Sequence, residues 1–355
     1  MLPAMNASAP PLGIRLQATG TRLGSELRNA VEAADLAGRV KPRHIHLCAA
    51  LGHLAESAAA ALGAEPACIK AAGHAAATLS LLTKIDDQVI DHPHHHGGTS
   101  TPRPIVRERT RAFLQPTLDS IHTGRPATSE PRCRLAAQLG RDLIALGPHT
   151  SRRARLLHEV TTGWATQVDA VAVLSAHPAT VDRPTVAAVT TDISSRWLGM
   201  VTAVGMLAAS ATRALTPAEW AGFRLWGAAI QRADALADLD KDLEDGLVSS
   251  LPAWELFQTD PTAWSAICRS PQLAYAAVAP LEDRCLAPTS VVHQAQAAHA
   301  NLGDVPALLS WIHSFLLWRY AHHPRCESPR RALLSHDTGA FEAYFRSARS
   351  TGETA

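Results

Sequence analysis

The chain has 355 residues, of which 46% are hydrophobic, 18% charged and only 5% aromatic, with a formal net charge of +1. That length is within reach of one large core, and the apolar share excludes a disordered chain while the low charge excludes a long coiled coil. No run of Lys and Arg stands out, so nucleic acid is not the expected partner.

In chain order, residues 1–18 are rich in Pro and Ala and read as a loose segment. They lack the charged region followed by an apolar stretch that marks a secretory signal. Helical patterns follow over about 20–36, 43–62, 67–91, 105–122, 131–146, 151–176, 185–211, 217–243, 252–257, 271–287, 290–300, 304–322 and 338–348. Most prolines fall between these segments, where helices start and stop. There is no strand alternation, no repeat and no linker that would split the core, so one all-α helical bundle over 19–348 is expected, with a frayed tail at 349–355. The apolar stretches are interrupted by Glu56, Lys70, His74 and Lys84. No stable membrane insertion is therefore expected, and a cytoplasmic location follows as the expectation. Cys48, Cys68, Cys133, Cys268, Cys285 and Cys326 form no CxxC pair and no zinc spacing.

Two acidic clusters carry the chemistry. The segment LLTKIDDQVIDHP places Asp86, Asp87 and Asp91 at the end of a long helix, with Asp87 and Asp91 on one face. Carboxylates near a helix C-terminus oppose the dipole, and a hard divalent cation offsets that cost. Read alone, the cluster fits a solvated helix end equally well. The loop that follows carries His92, His94, His95 and His96, which read as a solvated tip or a lid rather than a closed metal site.

The second cluster lies in FRLWGAAIQRADALADLDKDLEDGLVSSLP. Asp234, Asp238 and Asp242 recur every four residues and form one stripe on a continuous helix, beside an apolar stripe of Trp226, Ala229, Ile230, Ala233 and Ala237. The bland alternative is a charged face paired with Arg232 and Lys241. Facing helices of a bundle would bring both clusters around one group of Mg²⁺ ions.

In the order of these motifs over roughly 67–320, the chain resembles the class I isoprenoid synthase superfamily, which includes terpene cyclases, squalene/phytoene synthases and trans-prenyltransferases. DDQVID resembles its first metal motif. Asp234, Asp238 and Asp242 stand at the positions of the cyclases' second metal motif, with Lys241 at its basic position. Trp318-Arg319-Tyr320 resembles the C-terminal Arg-Tyr pair that contacts diphosphate, and Arg196 the diphosphate-sensing arginine. The resemblance implies a class I terpene synthase, a lyase of isoprenoid biosynthesis that ionises an isoprenyl diphosphate with Mg²⁺ (three ions, or Mn²⁺ in their place). Asp87, Arg196, Arg319 and Tyr320 would be catalytic, Lys241, Arg196 and Arg319 would bind the diphosphate, and a homodimer is the assembly that it allows. Trp164, Trp197, Trp226, Trp311 and Phe315 are candidates for lining the apolar pocket, against a plain core role.

The departures set the alternatives. An all-aspartate second motif and the ending DGLVSSLP are closer to the squalene/phytoene synthases and prenyltransferases. No GGKR-like segment, Arg pair or tyrosine-rich motif is present to serve a second diphosphate, which favours ionisation or cyclisation of one substrate over prenyl coupling. A non-catalytic homologue acting as a binding subunit and an acidic helical scaffold are the readings from other classes. A di-iron carboxylate bundle is excluded, because no Glu has His three residues later.

Overall fold

The computed structural model of the chain describes residues 12–90, 101–145, 150–191 and 215–331. These residues form α-helices and short 3-10 turns with no strand among them, so the fold is all-α. The first half comprises α1 (Leu12–Ala33), α2 (Pro42–Ala61), α3 (Pro66–Ile90), α4 (Arg103–Thr123), α5 (Pro131–Ala145), α6 (Thr150–Leu174) and the helical residues 183–191, here α7. The second half comprises α8 (Pro217–Ala237), α9 (Leu239–Glu244), α10 (Leu251–Thr259), α11 (Pro261–Arg269), α12 (Ala274–Val278), α13 (Glu282–Cys285), α14 (Thr289–Ala298) and α15 (Val305–Ala321). Proline opens several of them, at the first turn where its missing N–H has no helical partner to lose.

Among the described residues two large cores hold most of the helices together, and a smaller one joins Val186 of α7 to Leu251 and Trp254 of α10. One large core is built from α1 to α6 around Leu23, Leu27, Leu79, Leu82, Leu139 and Trp164. The other is built around α8 and α15, which pack on each other, and includes Phe223, Trp226, Leu236, Tyr275, Leu316 and Tyr320. Each large aliphatic side chain buried in this way contributes about 1.5–3 kcal/mol. The seam is α2, whose Ala49 and Ala55 face the first core while Leu54, Ala58 and Ala59 face the second.

Three expectations need correction. The loose segment does not extend to residue 18: α1 begins at Leu12, because Leu16 is buried in the second core and Arg15 grips Asp304 with Nε at 2.9 Å and Nη2 at 2.5 Å. The helix expected over 271–287 is divided by 3-10 turns at Pro271–Leu273 and Ala279–Leu281, each opened by proline. Helix α11 was not expected at all, although Asp260 caps it by accepting from the Thr262 and Ala263 amides ahead of Pro261. The expected helix over 338–348, and residues 192–211 of the one over 185–211, lie outside the described residues.

Small residues let α2 and α3 approach closely. A Cβ added at Gly52 would stand 2.7 Å from the backbone oxygen of Gly73 and 2.9 Å from Ala77 Cβ. Alanine gains about 1 kcal/mol in helix propensity, but forcing backbone apart costs about 1–3 kcal/mol. Gly52→Val carries the overlap without that gain and is expected to lose about 2–3 kcal/mol in a urea titration; an unchanged midpoint would refute the close contact.

The His74 imidazole of α3 lies 3.2 Å from the Asp142 carboxylate of α5. That hydrogen bond raises the imidazole above its ordinary range. A raised histidine contributes stability that is complete below the unfolded value and lost as pH rises through the folded one. The stability gap between the wild type and His74→Gln should therefore shrink as pH increases from about 6 to about 8. A gap independent of pH over that range would show that the pair carries no charge.

Candidate functional site

The acidic end of α8 is set up at its start. Thr216 Oγ1 accepts from the Glu219 amide at 3.2 Å and Glu219 Oε2 accepts from the Thr216 amide at 2.7 Å, a reciprocal cap. Gly222 lets α14 approach, with His299 Nε2 2.8 Å from the Glu219 carbonyl oxygen. Phe223, Trp226, Ala233 and Leu236 are then buried, which fixes how the helix is turned and leaves Asp234 and Asp238 on the edge of the core.

The continuous helix expected over 217–243 is interrupted. Helix α8 stops at Asp238, whose backbone leaves the helical region (φ −113, ψ 20), and α9 resumes at Leu239. The hydrogen bonds from the Asp238 amide to the Asp234 oxygen (2.9 Å) and from the Asp242 amide to the Asp238 oxygen (2.8 Å) still span the break. Tyr275 clamps it, its hydroxyl lying 3.0 Å from both the Ala237 oxygen and Asp240 Oδ1. Helix α9 ends with Gly246 at φ 85, where the Gly246 amide donates to Leu243 and the Leu247 amide to Asp242. Only glycine takes that left-handed turn without strain. The break spoils the regular stripe: among the described residues, no group of three or more His, Cys, Asp or Glu side chains is placed to hold one metal ion.

Charges from distant segments do meet at this edge. Burial first, and then the neighbouring Asp238, raise the Asp234 carboxyl to about 6 against the pull of Lys84, Arg319 and Lys241. Asp238 Oδ1 accepts from Arg319 Nη2 of α15 at 2.5 Å. Lys241 Nζ is 3.3 Å from Asp245, one turn on. Lys84 belongs to the end of α3, so all three regions singled out in the sequence contribute to one electrostatic neighbourhood. The bland pairing with Arg232 does not occur, because that guanidinium donates to the Leu286 oxygen at 3.2 Å.

Of the first cluster, only the Asp86 side chain can be placed, and it points inward. Asp86 is fully buried, 3.3 Å from Arg132 Nη1, and Arg132 in turn lies over the Phe113 ring and donates to the Phe113 oxygen at 2.7 Å. On an α-helix position 86 is about 200° round from Lys84, whereas position 87 is one turn on from Lys84 and shares its side. The expected common mouth for Asp86 and Asp87 is therefore corrected: Asp86 is the counter-ion of a buried arginine. The Asp87 side chain, Asp91, His92–His96, Arg196 and Trp197 lie outside what is described.

Tyr320 also departs from its expected role. It is 1% exposed, and its hydroxyl sits beside the Cys326 thiol in the second core, where burial pushes it far above its ordinary range. Trp164 and Trp226 are fully buried core residues. Trp311, Phe315 and Trp318 are half-buried on one side of α15, with the Phe315 and Trp318 rings stacked at 6.3 Å. Tyr275 and Asp240 went unnoticed in the sequence, since a lone Tyr in an apolar run carries no signal of a clamp.

The arrangement offers a divalent cation two neighbouring hard oxygen donors, Asp234, raised to about 6 mainly by burial, and Asp238, paired with Arg319. It does not fit one at Asp86. The unfolded carboxyl has its ordinary value of 3.8. Raised in the fold, Asp234 makes the protein lose stability as pH climbs from about 4 through about 6. Asp234→Asn does not titrate, so in EDTA it should gain on the wild type across that window and hold its advantage above it. A difference that stays constant with pH would sink this account of the site.

No family model matches the chain, and no curated protein matches its sequence.

Proposed function

We propose that the chain is a class I terpene synthase, which ionises one linear isoprenyl diphosphate with Mg²⁺ and releases a terpene and diphosphate. The observation that carries this reading is the meeting of Lys84, Lys241 and Arg319, cations from three distant parts of the chain, around Asp234, beside which Asp238 pairs with Arg319. Asp234, Asp238 and Asp87 would hold the metal, with Asp242 beside them. Bound Mg²⁺ supplies neutralising charge to the diphosphate and so makes it a competent leaving group.

The chain's own groups would do the rest. Arg319 exchanges the Asp238 carboxylate for phosphate oxygens, and Lys84 and Lys241 add positive charge at the same edge. Helix α15 supports a hydrocarbon partner next to that charge. Trp311, Phe315 and Trp318 recur half-buried along one side of it, directly beside Arg319, and such aromatic rings are what a developing carbocation would need.

The test is incubation with geranyl, farnesyl, geranylgeranyl and geranylfarnesyl diphosphates, in Mg²⁺ and in EDTA, read by GC-MS and diphosphate release. A Mg²⁺-dependent hydrocarbon or terpene alcohol is expected, with kcat lowered about 100-fold or more in folded Asp238→Ala and Arg319→Gln. A longer diphosphate or a C30 or C40 product would replace this reading with prenyl coupling. Absence of both turnover and Mg²⁺-dependent diphosphate binding would leave a non-catalytic helical homologue.

A further inference from the structure

A second concentration of charge lies where α7, α8, α10 and α13 meet, and it is basic. Glu255 of α10 is buried, with a side chain 4% exposed. Arg183, at the start of α7, donates from Nε to Glu255 Oε1 at 2.6 Å, and Arg284 of α13 holds Nη1 3.7 Å from Oε2. Arg183 Nη2 also reaches the Arg284 carbonyl oxygen at 3.4 Å. Arg232 of α8 is half-buried; burial, and then repulsion from Arg183, weaken its hold on the proton.

Neighbouring acids leave this excess in place. Arg232 makes no ion pair with any described residue, its hydrogen bond going to the Leu286 oxygen at 3.2 Å. Asp182 is turned to the Thr185 amide at 2.8 Å. Asp283 and Glu282 are taken up by Arg330, at 2.7 and 3.2 Å. The Cys285 thiol, which feels all three arginines, is pushed up to about 12 by burial and Glu255 and supplies no negative charge. A guanidinium withdrawn from water is costly unless an anion answers it.

We infer that Arg183, Arg232 and Arg284 form a binding site for a phosphate group. Two guanidiniums held on Glu255, with a third nearby that has no acidic partner among the described residues, suit the tetrahedral oxygens of a phosphate dianion, since each offers a fork of parallel N–H donors. The site is separate from the acidic edge: position 232 stands about 200° round α8 from position 234. It needs no metal, and it stands whether or not the chain turns over an isoprenyl diphosphate.

The test is done in EDTA, which silences any metal-dependent site. Inorganic phosphate and inorganic diphosphate are titrated into the full chain by calorimetry and thermal melting, against sodium chloride of equal ionic strength. In a parallel arm, neutral vesicles with and without a phosphomonoester headgroup are sedimented with the protein. Saturable binding of the free ions assigns the site to a soluble ligand, and binding to phosphomonoester vesicles alone assigns it to a headgroup. In either case Arg232→Gln, which can still donate to Leu286, should weaken binding about tenfold. Arg232→Lys should restore part of that loss. Should Arg232→Gln fold poorly, Arg284→Gln, whose side chain is 61% exposed, serves in its place. Free ions acting no differently from sodium chloride together with no preference for the phosphomonoester vesicles, or equal responses in the wild type and the folded glutamine variants, would overturn the assignment.

Discussion

The ion pair between Arg319 and Asp238 ties the last described long helix to the break between α8 and α9. A carboxylate at that break, next to a second one already withdrawn from water, would be hard to hold without a cation opposite. Arg319 supplies it. Leu316, Leu317 and Tyr320 of the same helix fall into the core and set how it is turned, and Trp311, Phe315 and Trp318 stay half-open on another side. The contact also brings Arg319 into the neighbourhood of Asp234, so the acidic edge and the apolar helix beside it are tied at one point.

The α8–α9 break has a backbone logic of its own. Tyr275 anchors it from one side, and the left-handed Gly246 ends α9 from the other. Leu251 and Pro252 then start α10. Much of the stretch DGLVSSLP is thus accounted for as a helix stop followed by a helix start, whatever chemistry the aspartates perform.

The helical class and most element boundaries were legible because apolar periodicity and proline punctuation act locally. Failures came where a distant partner decides the outcome. Residues 12–18 looked loose until Asp304 and the second core were there to engage Arg15 and Leu16. The stripe at Asp234, Asp238 and Asp242 looked regular because spacing cannot report a tyrosine that pins the helix open. Asp86 and Asp87 both read as metal ligands, and only the packing of α5 assigns Arg132 to the first of them. That Arg319 and Asp234 would be neighbours was readable; the partners around them were not.

The grip of Arg15 on Asp304 joins positions 289 residues apart along the chain. Closing so long a loop is entropically slow, and little rewards it until the intervening helices are in place. Leu16 shares its core with Leu54 and Ala58 of α2, so α1 has a local neighbour early, whereas Asp304 is made only after most of the described helices. Arg15 and Asp304 thus form a clasp that the helices between them must first bring together.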